Sequence, residues 1–94
     1  VITSNEEELF NGIKVYPNPV ADKLTLELSE EQQNNLRSIE LVSMLGVPVV
    51  NSEKDKELLN SGVKTINMGA CASGVYLLNI KVGERVKSIR ILKK

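Results

Sequence analysis

Few residues in this 94-residue sequence have side chains suited to catalysis. Histidine, the commonest general base and metal ligand, is absent. The single cysteine, Cys71, lies between two alanines and has no second thiol with which to form a disulfide or a zinc site. A thiolate nucleophile also needs an activating base, which this sequence does not supply. We therefore expect Cys71 to be a buried structural thiol.

The remaining candidate groups are equally weak. Glu30 and Glu31 are adjacent, so in a strand they would point to opposite faces, and in a polar loop they would simply be solvated. The glycines stand singly and form no phosphate-binding loop, and the acidic stretches lack the spacing of a calcium loop. The sequence predicts a protein that is not an enzyme and holds no cofactor and no metal.

The net charge and its distribution along the chain limit the kinds of partner that this protein could bind. Twelve basic and twelve acidic residues cancel, whereas a nucleic-acid binder usually has a basic excess. No run of about 18 apolar residues is present that would span a membrane. Residues 81–94 nevertheless hold six Lys or Arg against one Glu. This bias indicates either a solvated face or a basic final strand presented to a protein partner.

The elements that would position these residues are short strands. Ninety-four residues make one domain, and the aromatic residues are limited to Phe10, Tyr16 and Tyr76, so Val, Ile and Leu must build the core. Residues 29–35 are polar and fit a turn or a frayed helix. Strands are predicted over residues 12–16, 24–28, 38–44, 49–51, 63–68, 74–82 and 85–93. About seven such strands are typical of an antiparallel β-sandwich.

Period-two alternation assigns faces in the last two strands. Tyr76, Leu78, Ile80 and Val82 share one face, which places Tyr76 in the core and not on a glycan-binding platform. In the closing strand Ile89 and Ile91 point inward while Val86 falls on the opposite face. This mismatch predicts a bulge or an edge position near Lys87.

Four blocks then line up in order and spacing. They are Val15-Tyr16-Pro17-Asn18-Pro19 with Leu24-Thr25-Leu26; Ile39-Glu40-Leu41-Val42-Ser43-Met44-Leu45-Gly46; Val63-Lys64-Thr65-Ile66-Asn67-Met68 leading to Ser73-Gly74-Val75-Tyr76-Leu77-Leu78; and Lys87-Ser88-Ile89-Arg90-Ile91-Leu92-Lys93-Lys94. This pattern resembles the C-terminal sorting domain of the type IX secretion system of the Bacteroidota. The resemblance covers residues 13–94, which makes residues 1–12 a linker to an upstream cargo domain. We expect the chain to be an excised piece of a longer protein, with its natural C-terminus at Lys94.

The resemblance implies an immunoglobulin-like sandwich of seven strands with a transport function. Cargo of this family crosses the inner membrane by the general secretory route and passes through the periplasm. Shuttle proteins and the outer-membrane type IX translocon then deliver it to the cell surface or the medium. A sortase-like surface protease typically removes the domain and can attach the cargo to lipopolysaccharide.

The resemblance also marks recognition candidates, each with a purely structural alternative. Gly46, Gly74 and the prolines could serve only backbone geometry, and the lysines could serve only to protect an edge strand from aggregation. The candidates are Tyr16, Pro17, Asn18, Pro19, Gly46, Gly74, Tyr76, Lys87, Lys93 and Lys94.

The mechanism expected is strand addition at the last strand. A terminal edge strand has backbone groups that a partner can extend, and its basic side chains would tune partner choice. The rival hypothesis is a non-catalytic accessory sandwich that packs against another domain or binds glycan.

Overall fold

The computed structural model describes residues 12–51 and 62–94, which form two antiparallel sheets around one core. The elements in chain order are β1 (Lys14–Tyr16), β2 (Lys23–Glu27), α1 (Glu30–Asn34), β3 (Leu36–Ser43), β4 (Pro48–Asn51), β5 (Val63–Asn67), β6 (Gly74–Val82) and β7 (Arg85–Lys93). One sheet has the order β1-β2-β5 and the other has the order β4-β3-β6-β7. The predicted all-β antiparallel sandwich is confirmed, and the described residues hold seven strands.

The core lies between the sheets and is built from the alternating faces of the strands. Leu24 and Leu26 in β2 are fully buried while Thr25 between them is half-buried. In β6 the predicted inward face is confirmed, because its four alternate side chains are all buried. Each fully buried Leu or Ile contributes about 1.5–3 kcal/mol. The buried apolar set is Val20, Leu24, Leu26, Leu28, Ile39, Leu41, Ile66, Met68, Tyr76, Leu78, Ile80, Val82 and Ile91.

The polar stretch before β3 forms a short helix, the second of its two predicted alternatives. The Ser29 hydroxyl accepts the backbone N–H of Gln32 at 3.2 Å, and Oε1 of Gln32 accepts the backbone N–H of Ser29 at 2.8 Å. This reciprocal pair is a capping box, which satisfies donors that have no partner within the helix. It fixes the position where the chain passes from one sheet to the other. Residues 1–11, nearly all of the predicted linker, lie outside the described residues.

The predicted strands 38–44 and 49–51 correspond to β3 and β4, which pair as an antiparallel hairpin. Leu41 pairs with Val50, and the register shifts between Leu41 and Val42. Gly46 sits in the connecting turn at φ +83°, a conformation that side chains rarely adopt, and no atom would crowd an added Cβ there. The glycine is therefore required by the backbone and not by close packing.

The last strand lies at the edge of the four-stranded sheet. Its pairing with β6 runs without interruption from Gly74 opposite Lys93 to Val82 opposite Arg85. Of the two predictions near Lys87, the edge position is confirmed and the bulge is absent from the described pairing. Ile91 is buried, Ile89 is half-buried and packs on the core, and Val86 is exposed, as the alternation indicated.

Candidate recognition edge

The outer edge of β7 is half occupied by the segment that joins β1 to β2. Asn18 donates from Nδ2 to the carbonyl of Arg90 at 2.9 Å and accepts the N–H of Leu92 on Oδ1 at 2.9 Å. Val20 then donates its N–H to the carbonyl of Leu92 at 2.8 Å and accepts the N–H of Lys94 at 2.9 Å. A segment attached to one sheet thereby closes the edge of the other.

These contacts show which backbone groups of β7 face outward. In an antiparallel pair, alternate residues bond to the neighbouring strand and the residues between them point away. Since Arg90, Leu92 and Lys94 bond on the outer side, Val86 and Ser88 present their N–H and C=O groups outward as well. Within residues 12–51 and 62–94, no hydrogen bond is made to those outward groups. We call residues 86–89 the open segment and residues 90–94 the closed segment.

The open segment is polar and basic on its exposed sides. Arg85 and Lys87 are exposed, and the hydroxyl of Ser88 donates to Oδ1 of Asn79 at 2.6 Å. Nδ2 of Asn79 in turn donates weakly to Glu40 at 3.4 Å. This row of hydrogen bonds crosses the outer face of the sheet and holds Ser88 in a fixed position. A shallow depression lies beside it, lined by Ser38, Ile39, Glu40, Asn51, Asn79, Lys81 and Val86.

The three candidate lysines differ in accessibility. Lys87 is exposed in the open segment and Lys94 is exposed beyond the strand. Lys93 is only 8% exposed, and its ammonium donates to the carbonyl of Lys94 at 3.0 Å. A protein approaching from solvent can therefore reach the charges of Lys87 and Lys94 more easily than that of Lys93.

The Tyr-Pro-Asn-Pro candidates form the covering segment itself. Pro17, Asn18 and Pro19 are exposed, and both X-Pro peptide bonds are cis. The phenol of Tyr16 donates to the carboxylate of Glu27 on the paired strand β2. That hydrogen bond raises the pKa of the Tyr16 phenol, with smaller contributions from burial and from the charge of Glu27.

The remaining candidates serve the sandwich at its turns. Gly74 begins β6 at φ +148°. Tyr76 is 7% exposed, and its hydroxyl donates to the carbonyl of Ala72 at 2.7 Å, which ties the preceding loop to the strand. The structure places these residues and Gly46 apart from the open segment of β7.

Sequence reasoning missed the contact between the covering segment and β7. It gave the prolines at most a role in backbone geometry, and it did not assign a partner to Asn18 or burial to Val20, which is 0% exposed. The usable signal was an amide between two prolines. Asparagine has one donor and one acceptor group, which match the outward C=O and N–H of an edge strand.

The described residues offer no centre for metal chemistry. They contain no group of three or more Cys, Asp or Glu side chains that could hold a metal ion. Cys71 is only partly buried, and it packs against the core.

The most buried cation among the described residues is Lys64. Its ammonium donates to Oε1 of Gln33 at 2.7 Å, and burial lowers the pKa of Lys64. The described part of the chain has no helix with the length and apolar character that a bilayer crossing needs.

Comparison with known proteins identifies the family. The family model described as the secretion system C-terminal sorting domain matches residues 14–94, which include every described strand. No curated protein matches the sequence. A sorting signal of this kind implies a secreted or cell-surface protein that interacts with the type IX secretion system. The chain therefore belongs to the family of secretion system C-terminal sorting domains, the C-terminal secretion signal of the type IX secretion system.

Proposed function

We propose that the type IX machinery recognises this domain by adding a strand to the open segment of β7. The observation that carries the proposal is the unequal occupation of that edge. Asn18 and Val20 cover the closed segment, whereas the outward groups of Val86 and Ser88 have no hydrogen bond within the described residues. Backbone pairing supplies affinity in strand addition, and an edge already paired cannot accept another strand.

Charge complements the backbone pairing. Lys87 is exposed within the open segment, and Lys81 is exposed on the neighbouring strand. A partner strand with acidic side chains would meet these two cations, while two acidic residues, Glu40 and Glu84, also lie in this region. Such complementarity mainly sets the choice of partner and the rate of association. Lys87 is therefore the lysine that we assign to partner contact, with Lys94 next to it in accessibility.

Membership of the family supports a transport route for the cargo. The cargo crosses the inner membrane by the general secretory route, and shuttle proteins and the outer-membrane translocon carry it from the periplasm to the surface. A sortase-like surface protease cuts within the linker, residues 1–12, and residues 13–94 act as the signal without catalysis of their own. The matched range of the family model, which begins at residue 14, supports this boundary.

The rival function is an accessory module that packs against a domain or binds glycan. Glycan-binding sandwiches usually present flat aromatic platforms. Of the two described aromatic residues, Tyr76 is buried and Tyr16 bonds to Glu27. Tyr16 is 44% exposed. A single exposed ring is less than the aromatic platform that such modules use, and this supports the signal over the accessory module.

The test is delivery of a fluorescent reporter with a signal peptide, fused ahead of this chain in a host with a working type IX system. Ser88→Pro removes the outward N–H at little cost to an edge strand, and Ser88→Ala is its matched control because both lose the hydroxyl bond to Asn79. We expect surface delivery for the wild type and Ser88→Ala, and periplasmic retention for Ser88→Pro.

Three outcomes separate the parts of the proposal. Normal delivery of Ser88→Pro would show that the open segment is not the recognition edge. Retention of the wild type, beside a known sorting domain that is delivered, would favour the accessory module. Delivery with the domain still attached to the reporter would refute cleavage but not sorting.

A further inference from the structure

The turn between β3 and β4 exposes a cluster of aliphatic side chains. Leu45 is 91% exposed, Met44 61% and Val47 57%, and Pro48 beside them is exposed. No residue from Leu41 to Asn51 carries a charge. Exposed loops of soluble domains are usually polar, so an uncharged aliphatic tip indicates contact with an apolar phase. We call residues 44–48 the hairpin tip.

Three backbone N–H groups of the hairpin tip are already hydrogen-bonded from within the turn. The hydroxyl of Ser43 accepts the N–H of Leu45 and that of Val47, each at 3.2 Å. Gly46 donates its N–H to the carbonyl of Ser43, and the N–H of Ser43 bonds to the carbonyl of Val47, both at 2.9 Å. Unpaired backbone donors are what make irregular backbone costly in a lipid environment. Three consecutive donors at this tip, those of Leu45, Gly46 and Val47, avoid that cost.

Cations stand at the same end of the sandwich. The register places Ser43 opposite Tyr76 and Gly74 opposite Lys93, so the hairpin tip and the end of β7 project in one direction. Among residues 12–51 and 62–94, Arg90, Lys94 and Lys23 are exposed at this end, against one exposed acid, Asp22. Leu92, 44% exposed, continues the apolar surface on the outer face of the sheet.

We propose that the hairpin tip docks on the surface of a bilayer that contains anionic lipids. Leu45 and Met44 enter the boundary between headgroups and acyl chains, while Arg90 lies back from the tip and Lys94 lies beside it, where both can reach the charged headgroups. Apolar side chains in front with cations behind them are the arrangement of interfacial anchors. A hydrophobic groove on a protein would need the apolar tip but not the flanking cations. This inference does not depend on strand addition at β7.

Flotation with lipid vesicles tests the proposal on the 94-residue chain. The vesicles contain phosphatidylcholine and phosphatidylglycerol in equal parts, or phosphatidylcholine alone. We expect binding to the anionic vesicles, weaker binding to the neutral ones, and a loss on the order of tenfold for Leu45→Ser. Val63→Ser, which removes a 57% exposed apolar side chain from the other sheet, should bind like the wild type.

A fluorescent label distinguishes insertion from simple charge attraction. An environment-sensitive dye attached through L45C in a C71S background should shift to the blue on anionic vesicles, whereas the same dye attached through V63C should not. The proposal is overturned if neither vesicle binds the chain, or if Leu45→Ser binds as well as the wild type. It is also overturned if gel filtration shows a dimer that Leu45→Ser dissociates, because the tip would then cover a second copy.

Discussion

The side chain of Asn18 makes the same two hydrogen bonds with β7 that a neighbouring strand would make. Its amide accepts the N–H of Leu92 and donates to the carbonyl of Arg90, both at 2.9 Å. One residue between two prolines thereby replaces part of a strand. The terminal edge is left half closed and half open, and this asymmetry underlies the recognition that we propose.

Replacement of Asn18 by alanine should loosen the closed segment. Because both hydrogen bonds are exposed and water can replace them, we expect a loss of about 1–2 kcal/mol in the free energy of unfolding. Urea denaturation measures that loss, and amide exchange at Leu92 should become faster. Asn18→Asp keeps the acceptor for Leu92 but loses the donor to Arg90, so Leu92 should stay better protected than in Asn18→Ala. Unchanged exchange at Leu92 in Asn18→Ala would contradict the assigned contact.

Ionisation of Tyr16 should lower the free energy of unfolding at alkaline pH. Its pKa is raised by the hydrogen bond to Glu27, so the folded state holds the phenolic proton more tightly than the unfolded state does. The stabilisation is fully present below pH 10 and is lost as the pH rises through the raised pKa. Urea denaturation across this range should show a smaller alkaline loss for Tyr16→Phe than for the wild type. Parallel curves for the two proteins would show that the hydrogen bond does not couple to folding.

Titration of Lys64 should change the free energy of unfolding in the opposite direction to the titration of Tyr16. Burial lowers its pKa, so the unfolded state binds the proton more tightly, and stability should rise as the pH increases from the lowered pKa to 10.5. Lys64→Met in a Tyr16→Phe background removes this gain without the opposing effect of Tyr16. We expect Tyr16→Phe alone to gain stability relative to the double variant as pH 10.5 is approached. A constant difference between them would indicate that the Lys64 ammonium is well solvated.

Gly46 should be needed for its backbone conformation alone. Its φ of +83° strains any residue with a Cβ, yet no atom lies near the place where a Cβ would be. We expect Gly46→Ala to lower the free energy of unfolding by about 1–2 kcal/mol. Asparagine tolerates this conformation better than alanine, so Gly46→Asn should cost less. Equal losses for the two variants would point to a packing role instead.

Alternation along the strands was sufficient to predict most of the fold. The faces of β6 and the inward side of β7 followed from it directly, since burial on one side of a sheet imposes period two. The short helix was less visible, although Ser29 followed by Gln32 is the signature of a capping box. The burial of Lys64 could not be predicted, because Gln33, its hydrogen-bond partner, lies 31 residues away in sequence.

The recognition edge was predictable only in part. The basic bias of residues 81–94 indicated the strand that we propose for recognition, but which half of its edge is covered depends on contacts between Asn18 and residues more than 70 positions later. No local pattern records such a contact. The turn between the predicted strands 38–44 and 49–51 was predictable, but the exposure of its aliphatic side chains was not, because Met, Leu and Val usually face a core.

The bridge between Val20 and Lys93 is parallel, so the resistance of the domain to a pulling force depends on the direction of the pull. A pull applied before β1 and after β7 draws the two segments past each other along their length. The bonds of Asn18 and Val20 then bear the load together in shear, whereas a hairpin opened from its ends yields one bond at a time. If the domain is pulled at its last strand while a cargo is attached before its first strand, these two segments resist separation most strongly along the direction of the pull.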